Sequence, residues 1–274
     1  MDQILTTLCT PQMVAALETN MEEEMMCFGR GLSGGEMYND GEIEGFLTRR
    51  AHLNGILRTH LKRQEAAYVE DRIQMVKRYF REKGITKMAW SLGQDCQPTN
   101  MATHLKSQGF LKLHDENMGM ALDIASMQTA ENKVKDLEIR EVADLEGLKA
   151  VRQIEIEGFG SSAEMAQNYF EMYATVGFGK GTAWRHFSGW QRGKAVASAS
   201  LLFHAGVAGI YGVATIPEAR RQGIARAMVL RAIQEARLEG YRIVVLSPTE
   251  MSEGIYRRLG FREYTRIRHY TCTL

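Results

Sequence analysis

The stretch Ile210–Val229 reads I-Y-G-V-A-T-I-P-E-A-R-R-Q-G-I-A-R-A-M-V, and no other part of the chain limits the fold so tightly. Ile210, Tyr211, Val213 and Thr215 are β-branched or aromatic residues in a short apolar run, the composition of a strand. Pro217 has no N–H to give to a ladder, so the strand ends there. The turn Arg220-Arg221-Gln222-Gly223 is basic and carries a glycine. It opens directly into a helical pattern. Ile224, Met228, Ala232 and Ala236 recur one turn apart, with Ala225, Val229 and Ile233 in the neighbouring row. A strand, a basic turn and a helix start together make an anion site, because first-turn N–H groups lack intrahelical partners and the dipole end is positive. Gly223 has no Cβ, so the backbone can come close to a bound group. Taken alone, the stretch reads equally well as a solvated helix cap behind a plain turn.

The residues that follow decide between these readings. One helix and one strand further on stands G-I-Y-R-R-L-G-F, Gly254 to Phe261. The chain here resembles the GNAT (Gcn5-related) acyltransferases. Their acyl-CoA signature, Q/R-x-x-G-x-G/A, is met by Arg220, Gly223 and Ala225, and their second motif is a helix with a tyrosine before L-G-F. There are two departures. Arg221 stands where a second glycine is frequent, which bears on loop shape. Thr249 stands where an asparagine is frequent near the end of the fifth strand, which removes one polar contact to the cofactor.

The whole chain has 274 residues, enough for one large or two modest domains. Its 34 basic and 33 acidic side chains leave a net charge of +1, so no global field draws it to nucleic acid or to a membrane. Cys9, Cys27, Cys96 and Cys272 have neither C-x-x-C pairing nor metal-ligand spacing and read as free thiols of a reducing cytosol. The first residues lack a basic stretch followed by an apolar one, and no apolar run approaches the ~20 residues of a membrane span. The expected location is cytoplasmic.

Thr10-Pro11 is a helix start, with an apolar stripe through Met13, Leu17 and Met21 to about Cys27. Gly29 to Gly41 reads as a loop. Strands are predicted at Glu44–Thr48 and Gly55–His60, a helix at Glu65–Lys83, a strand at Lys87–Ser91, a helix at Thr99–Ser107 and a strand at Met118–Ile124. The second half repeats that order around the central stretch. H-L-K-S-Q-G-F (His104 to Phe110) aligns with I-Y-R-R-L-G-F, placing Leu105 where Tyr256 stands. Leu61-Lys62-Arg63-Gln64, before the Glu65 helix, contains no glycine and no anion motif. The expectation is an α/β chain of GNAT-type mixed twisted sheets flanked by helices, in tandem. A degenerate GNAT-like domain spans 1–127, a linker 128–136 and a complete GNAT acyltransferase domain 137–274.

The resemblance implies a role for each site residue. Backbone groups of Val213, Ala214 and Thr215 would hold pantetheine, in a gap opened where the strand ending at Ser247-Pro248 parts from the central one. Arg220, Arg221, Gln222, Gly223, Ile224, Ala225 and Arg226 would wrap the pyrophosphate. Tyr256 would protonate the departing thiolate. Glu155 and Glu157, near the end of the helix that borders the acceptor in this family, are the candidate bases, though helix carboxylates are more often just solvated. His204 is better read as structural. Scattered histidines give no metal spacing.

The implied activity is acetyl-CoA-dependent N-acyl transfer, with direct attack of an amine on the thioester. The acceptor is a small-molecule or peptide amine. No nucleic-acid or membrane partner is expected, and the chain is a monomer, a pseudo-dimer made by its tandem halves, or a homodimer. The alternative is a non-catalytic acyl-CoA-binding protein. A nucleotide-binding reading is disfavoured because the turn is R-R-Q-G-I-A and lacks the P-loop lysine.

Overall fold

The central strand, β9, spans Val207–Thr215 and is built as the sequence predicts, but it begins earlier, directly after a two-residue turn. Ala205 and Gly206 both have positive φ, 54° and 74°, the requirement of the type I′ hairpin that joins β8 (Lys194–His204) to β9. Arg192 and Gly193, at 49° and 78°, make the same turn between β7 (Trp184–Gln191) and β8. β6 (Leu137–Glu141) completes this antiparallel series. On its other edge β9 pairs in parallel with β10 (Ile243–Leu246), which is fully buried as its apolar composition requires.

The computed structural model describes residues 3–8, 11–127 and 134–274. They form two compact units. The larger comprises Met1–Glu23 and Gly119–Tyr264, the smaller Glu24–Met118 and Thr265–Leu274. In the larger unit the strands run β5-β10-β9-β8-β7-β6. Its helices α4 (Leu145–Phe159) and α6 (Ile224–Leu238) pack on β8 and β9. α4 starts at Asp144, whose carboxylate accepts the Gly147 N–H at 2.8 Å, and stops at Gly160 in the left-handed region. α5 (Ala163–Val176) starts at Ser162 in the same way.

The smaller unit has the order β1-β2-β3-β4-β11, with β3 (Gly55–Thr59) and β4 (Lys87–Leu92) parallel across α2 (Ala66–Glu82). Its core joins Ile56, Val69, Ile73, Val76, Phe80, Trp90 and Phe110. The two units share their element order, and their G-F turns are built alike. Phe110 N–H bonds to Leu105 C=O at 3.0 Å, and Phe261 N–H to Tyr256 C=O at 3.1 Å. Leu105, on α3 (Met101–Ser107), and Tyr256, on α7 (Glu253–Leu259), are therefore equivalent positions, as their sequence alignment predicts.

Some expectations differ from the structure. The expected boundaries, 1–127, 128–136 and 137–274, follow sequence order, whereas the units also exchange segments. Met120–Asp123 of β5 (Leu111–Asp123) pair with Leu246–Ile243 in the larger unit, and Arg268–Thr273 of β11 (Arg262–Thr273) pair with Leu92–Lys87 in the smaller. A strand edge is satisfied by whichever backbone reaches it, and periodicity carries no record of that choice. Of the linker, only 134–136 lies within the described residues. The loop expected at Gly29 to Gly41 contains β1 (Glu36–Asn39), and α1 runs Gln12–Gly31; the cap proposed at Thr10 lies outside the described residues, as does Cys9. β5 starts at Leu111 rather than Met118; its first five residues are exposed and turn no buried face to a core, and the run His114-Asp115-Glu116-Asn117 is polar throughout. Cys27, Cys96 and Cys272 are free thiols. Among the described residues, no helix is long and apolar enough to cross a membrane, and no His/Cys/Asp/Glu group can hold a metal.

One side chain early in the chain is pinned deep in the larger unit. Asn20 on α1 is fully buried. Its amide donates to Leu202 O at 3.2 Å and His204 O at 3.0 Å, and its carbonyl accepts Tyr211 Oη–H at 2.7 Å. Asn20→Ala leaves these partners unsatisfied and is expected to cost about 1–3 kcal/mol by urea unfolding. A fragment of residues 137–274 lacks Asn20 and also the strand Gly119–Asp123 that covers β10. It is expected to be insoluble or to lack a cooperative melt; a fragment melting at the temperature of the full chain would contradict this.

Candidate functional site

The feature that sets this region apart is an interrupted ladder. β10 pairs with β9 at Val244–Ala208, Val245–Gly209 and Leu246–Ile210 and then leaves, whereas β9 runs on to Thr215, still paired with Ala197 of β8. The stretch Val213–Thr215 thus turns toward the departed β10 an edge that receives no ladder bond from it. At its end Thr215 Oγ1 is buried without a hydrogen-bond partner. Ser247 and Pro248 follow the end of β10 outside any strand.

The turn after β9 is shaped for close approach. Pro217–Ala219 form one 3₁₀ turn; Arg221 has φ 62° and Gly223 φ 82°. Gly223 is the N-cap of α6. Gly223 brings no capping side chain, and no acidic residue lies in the first turn. The end is therefore positive. Arg221, Gln222 and Gly223 are exposed, Ala225 and Arg226 are half-buried, and Ile224 is buried as the first core residue of α6.

Arg220 is exposed, and its guanidinium bonds back to the backbone. Its Nε donates to Thr215 O at 3.1 Å and its Nη2 to Gly158 O at 2.6 Å, tying the end of β9 to the end of α4. Gly158 is the matching contact: a Cβ there would lie 3.0 Å from Ala214 Cβ and 3.3 Å from Thr215 N. Absence of a side chain lets α4 lie directly on β9.

α4 separates the two candidate carboxylates. They are two positions apart, hence on opposite sides of the helix. Glu155 is buried, and its Oε1 would lie 3.0 Å from a Cβ added to Gly212 of β9. Glu157 points the other way, accepting from Gln153 Nε2 at 2.8 Å with Lys194 Nζ at 4.0 Å. Glu155 is brought to β9; Glu157 is not. His204, at the far end of β8, lies 4.0 Å from Glu23. Tyr256 is buried on α7, edge-on to Phe261 with ring centroids 5.8 Å apart. Burial pushes its phenol up to about 12, against which a hydrogen bond with Ser252 acts weakly. Ser252 also closes the turn with Thr249, whose N–H it accepts at 3.0 Å.

Sequence reasoning passed over a polar group around Gly212. This glycine has φ 56° and sits where the β8–β9 register shifts between Ser198 and Ser200. Ser198 Oγ donates to Gly212 O at 2.8 Å, and Ser200 Oγ would lie 3.4 Å from a Cβ on Gly212. Ser200 Oγ is also 2.7 Å from Nδ1 of His186, a fully buried residue whose Nε2 has no partner. Glycine inside an apolar strand is the signal for such a bulge, and β9 carries two, Gly209 and Gly212.

Comparison with known proteins agrees with this geometry. Residues 204–264 match a family model described as an acetyltransferase (GNAT) domain. Solved structures align over nearly the full chain. A GCN5-related N-acetyltransferase from Kribbella flavida is 18% identical over 94% of this chain and 96% of its own, with a TM-score of 0.71. One from Sphaerobacter thermophilus is 16% identical over 95% and 90%, with a TM-score of 0.66. A tandem GNAT protein from the clavulanic acid biosynthesis pathway is 14% identical over 95% and 94%, with a TM-score of 0.65. The fold is the GNAT fold. No curated protein sequence matches the chain.

Within this GNAT fold, two residues around the bulge lend themselves to direct tests. Gly212→Ala places a side chain at positive φ against Glu155 and is expected to cost about 1–3 kcal/mol in urea unfolding. His186 is held at about 3, far below its ordinary value, by burial. The unfolded chain therefore binds a proton near 6.5 that the folded chain refuses. Stability from this group is full above pH 6.5 and falls by up to about 1.4 kcal/mol per pH unit below it, until about pH 3. Between pH 7 and 5 the wild type is expected to lose about 2 kcal/mol more than His186→Asn in urea titrations.

Proposed function

We propose that the larger unit is an acyl-CoA-dependent N-acyltransferase with acetyl-CoA as donor and a small-molecule or peptide amine as acceptor. The observation that carries this reading is the β9 edge left unpaired by β10 beyond Ile210, leading directly to the left-handed glycine that starts α6 at Gly223. An extended amide chain ending in a pyrophosphate fits such a track. The edge offers ladder hydrogen bonds, and the helix end offers N–H groups and positive potential.

Acetyl-CoA supplies the activated acyl thioester. The chain's own residues do the rest. Backbone groups of Val213, Ala214 and Thr215 bind the pantetheine arm, and Thr215 Oγ1 gains the partner it lacks. The turn Arg221–Arg226 holds the pyrophosphate through backbone N–H groups, with Arg221 and Arg226 adding charge, while Arg220 keeps the turn in shape. A strand N–H at the Gly212 bulge is placed to stabilise the developing oxyanion. In this reading Glu155, next to the bulge on β9, accepts the amine proton. Glu157, the other candidate base, lies on the opposite side of α4 beside Lys194. Tyr256 stays protonated at neutral pH and donates to the departing sulfur. Its raised value makes it a weak acid, so it acts by hydrogen-bond donation as charge builds up on the sulfur.

Calorimetric titration with coenzyme A tests the track: Gly223→Val is expected to abolish binding in a protein that still folds, because a Cβ blocks the approach and the backbone there is left-handed. Unchanged affinity would remove the turn from the site. A screen of amines with acetyl-CoA and detection of free thiol tests the chemistry. Tyr256→Phe is then expected to lower kcat by about 10²–10⁴-fold with coenzyme A affinity unchanged. A binding protein without catalysis would pass the titration and release no thiol with any amine.

A further inference from the structure

Two neighbouring strands of the larger unit turn polar side chains to a side where a core is expected. β7 reads H-F-S over His186–Ser188, and β8 reads S-A-S over Ser198–Ser200. Residues two apart share a sheet face, so each strand sends two polar groups to one side. The register sets His186 beside Ser200 and Ser188 beside Ser198. All four are buried, which is costly unless each finds a partner. The row of partners leads to the bulge. Ser198 Oγ donates to Gly212 O at 2.8 Å. Ser200 stands across from Tyr211, and its Oγ is nearer than its Cβ to the point a Gly212 Cβ would occupy, 3.4 against 3.9 Å. Glu155 Oε1 comes to the same point from α4, at 3.0 Å.

His186 is the far end of this row. Its Nδ1 lies 2.7 Å from Ser200 Oγ. The ring of Tyr173, on α5, covers it with centroids 4.2 Å apart, and Trp184 stacks beside it at 5.8 Å. Nε2, on the other side of the imidazole, is buried with no hydrogen-bond partner. A neutral ring has two tautomers. A proton on Nε2 leaves that N–H unpaired and draws the Ser200 proton onto Nδ1. A proton on Nδ1 is given to Ser200 Oγ, and the Ser200 proton stays available on the Gly212 side. The second arrangement uses both protons and the first only one. Burial keeps the ring neutral down to about pH 3, so it orients its neighbour and exchanges no proton near neutral pH. Nε2 has no carboxylate partner, so the serine is not set up as the nucleophile of a triad.

We propose that Ser200 and His186 are positioning residues of the acyl transfer: His186 Nδ1–H donates to Ser200 Oγ, and the Ser200 hydroxyl turns its own proton to the side of Gly212 where the Glu155 carboxylate lies. A hydroxyl donor on that side favours the charged carboxylate, the form that accepts the amine proton. The assignment rests on the reading of Glu155 as the base, and the test separates the two.

The full chain is used throughout. Nitrogen-15 NMR of histidine-labelled protein at pH 7 reads which ring nitrogen of His186 carries the proton, with the signal assigned by its loss in His186→Asn. Nδ1 is expected, and a proton on Nε2 would overturn the proposal. The second measurement is the acidic limb of the kcat/KM profile with the best amine of the screen. A general base works deprotonated, so losing a donor makes it take up its proton sooner and moves the limb to higher pH. Ser200→Ala is expected to move it by about one pH unit or more, the worth of a hydrogen bond to a charged group, with coenzyme A affinity unchanged. His186→Leu is expected to move it the same way, and His186→Asn, whose amide keeps a donor near the place of Nδ1, to bring it back. Where His186→Leu does not fold, Ser200→Ala, which loses a single oxygen, carries the test. A merely structural role would lower the melting temperature of Ser200→Ala and leave the limb in place, which would overturn the proposal alone. No thiol release with any amine would defeat the acyltransferase reading, and this assignment with it.

Discussion

The parting of β10 from β9 after Ile210 is the constraint on which the larger unit depends. A strand buried between neighbours must satisfy its N–H and C=O groups on both sides. β8 serves one side throughout; the other side is served only as far as β10 remains parallel. Beyond that point the backbone requires a partner from elsewhere. Everything nearby is compatible with a partner that comes and goes. Gly158 lets α4 close over β9, Arg220 ties the two ends, and Gly223 starts α6 with no side chain of its own.

The smaller unit shows the other solution to the same problem. Its strand gap, where β3 runs on past its pairing with β4 at Ile56, is met by Gln97 and Trp90 of its own chain. The two units thus share a backbone plan and differ at this gap. The turn reads Arg-Arg-Gln-Gly in the larger and Leu-Lys-Arg-Gln in the smaller, and Tyr256 stands where the equivalent helix has Leu105.

The polar group around Gly212 sets a second condition. Glu155, Ser198, Ser200 and His186 are all buried, and the rings of Tyr173 and Trp184 pack against His186. Buried polar groups are retained at a cost in desolvation, which their hydrogen bonds offset only in part. His186 shows that cost: it stays neutral in the folded chain well below its ordinary value. The bulge at Gly212 gives these groups a backbone to face, and it lies on the strand that carries the open edge.

Much of this was legible in the residues. The apolar run to Pro217, the period of α6 and the stops at Gly109 and Gly260 are local properties, so β9, α6 and both G-F turns could be read directly. The sequence by itself determined the element order, the tandem plan and the strand–turn–helix with its positive end, because propensity, periodicity and glycine chemistry act over a few residues. Tertiary structure alone decided the rest. It turned Glu155 inward and Glu157 outward, folded Arg220 back onto two carbonyls, and grouped Ser200 and His186 about Gly212. It also gave Gly119–Asp123 and Thr265–Leu274 to units other than those sequence order implies. Those outcomes depend on which distant edge or carbonyl a group meets, and no short-range pattern encodes a partner far away along the chain.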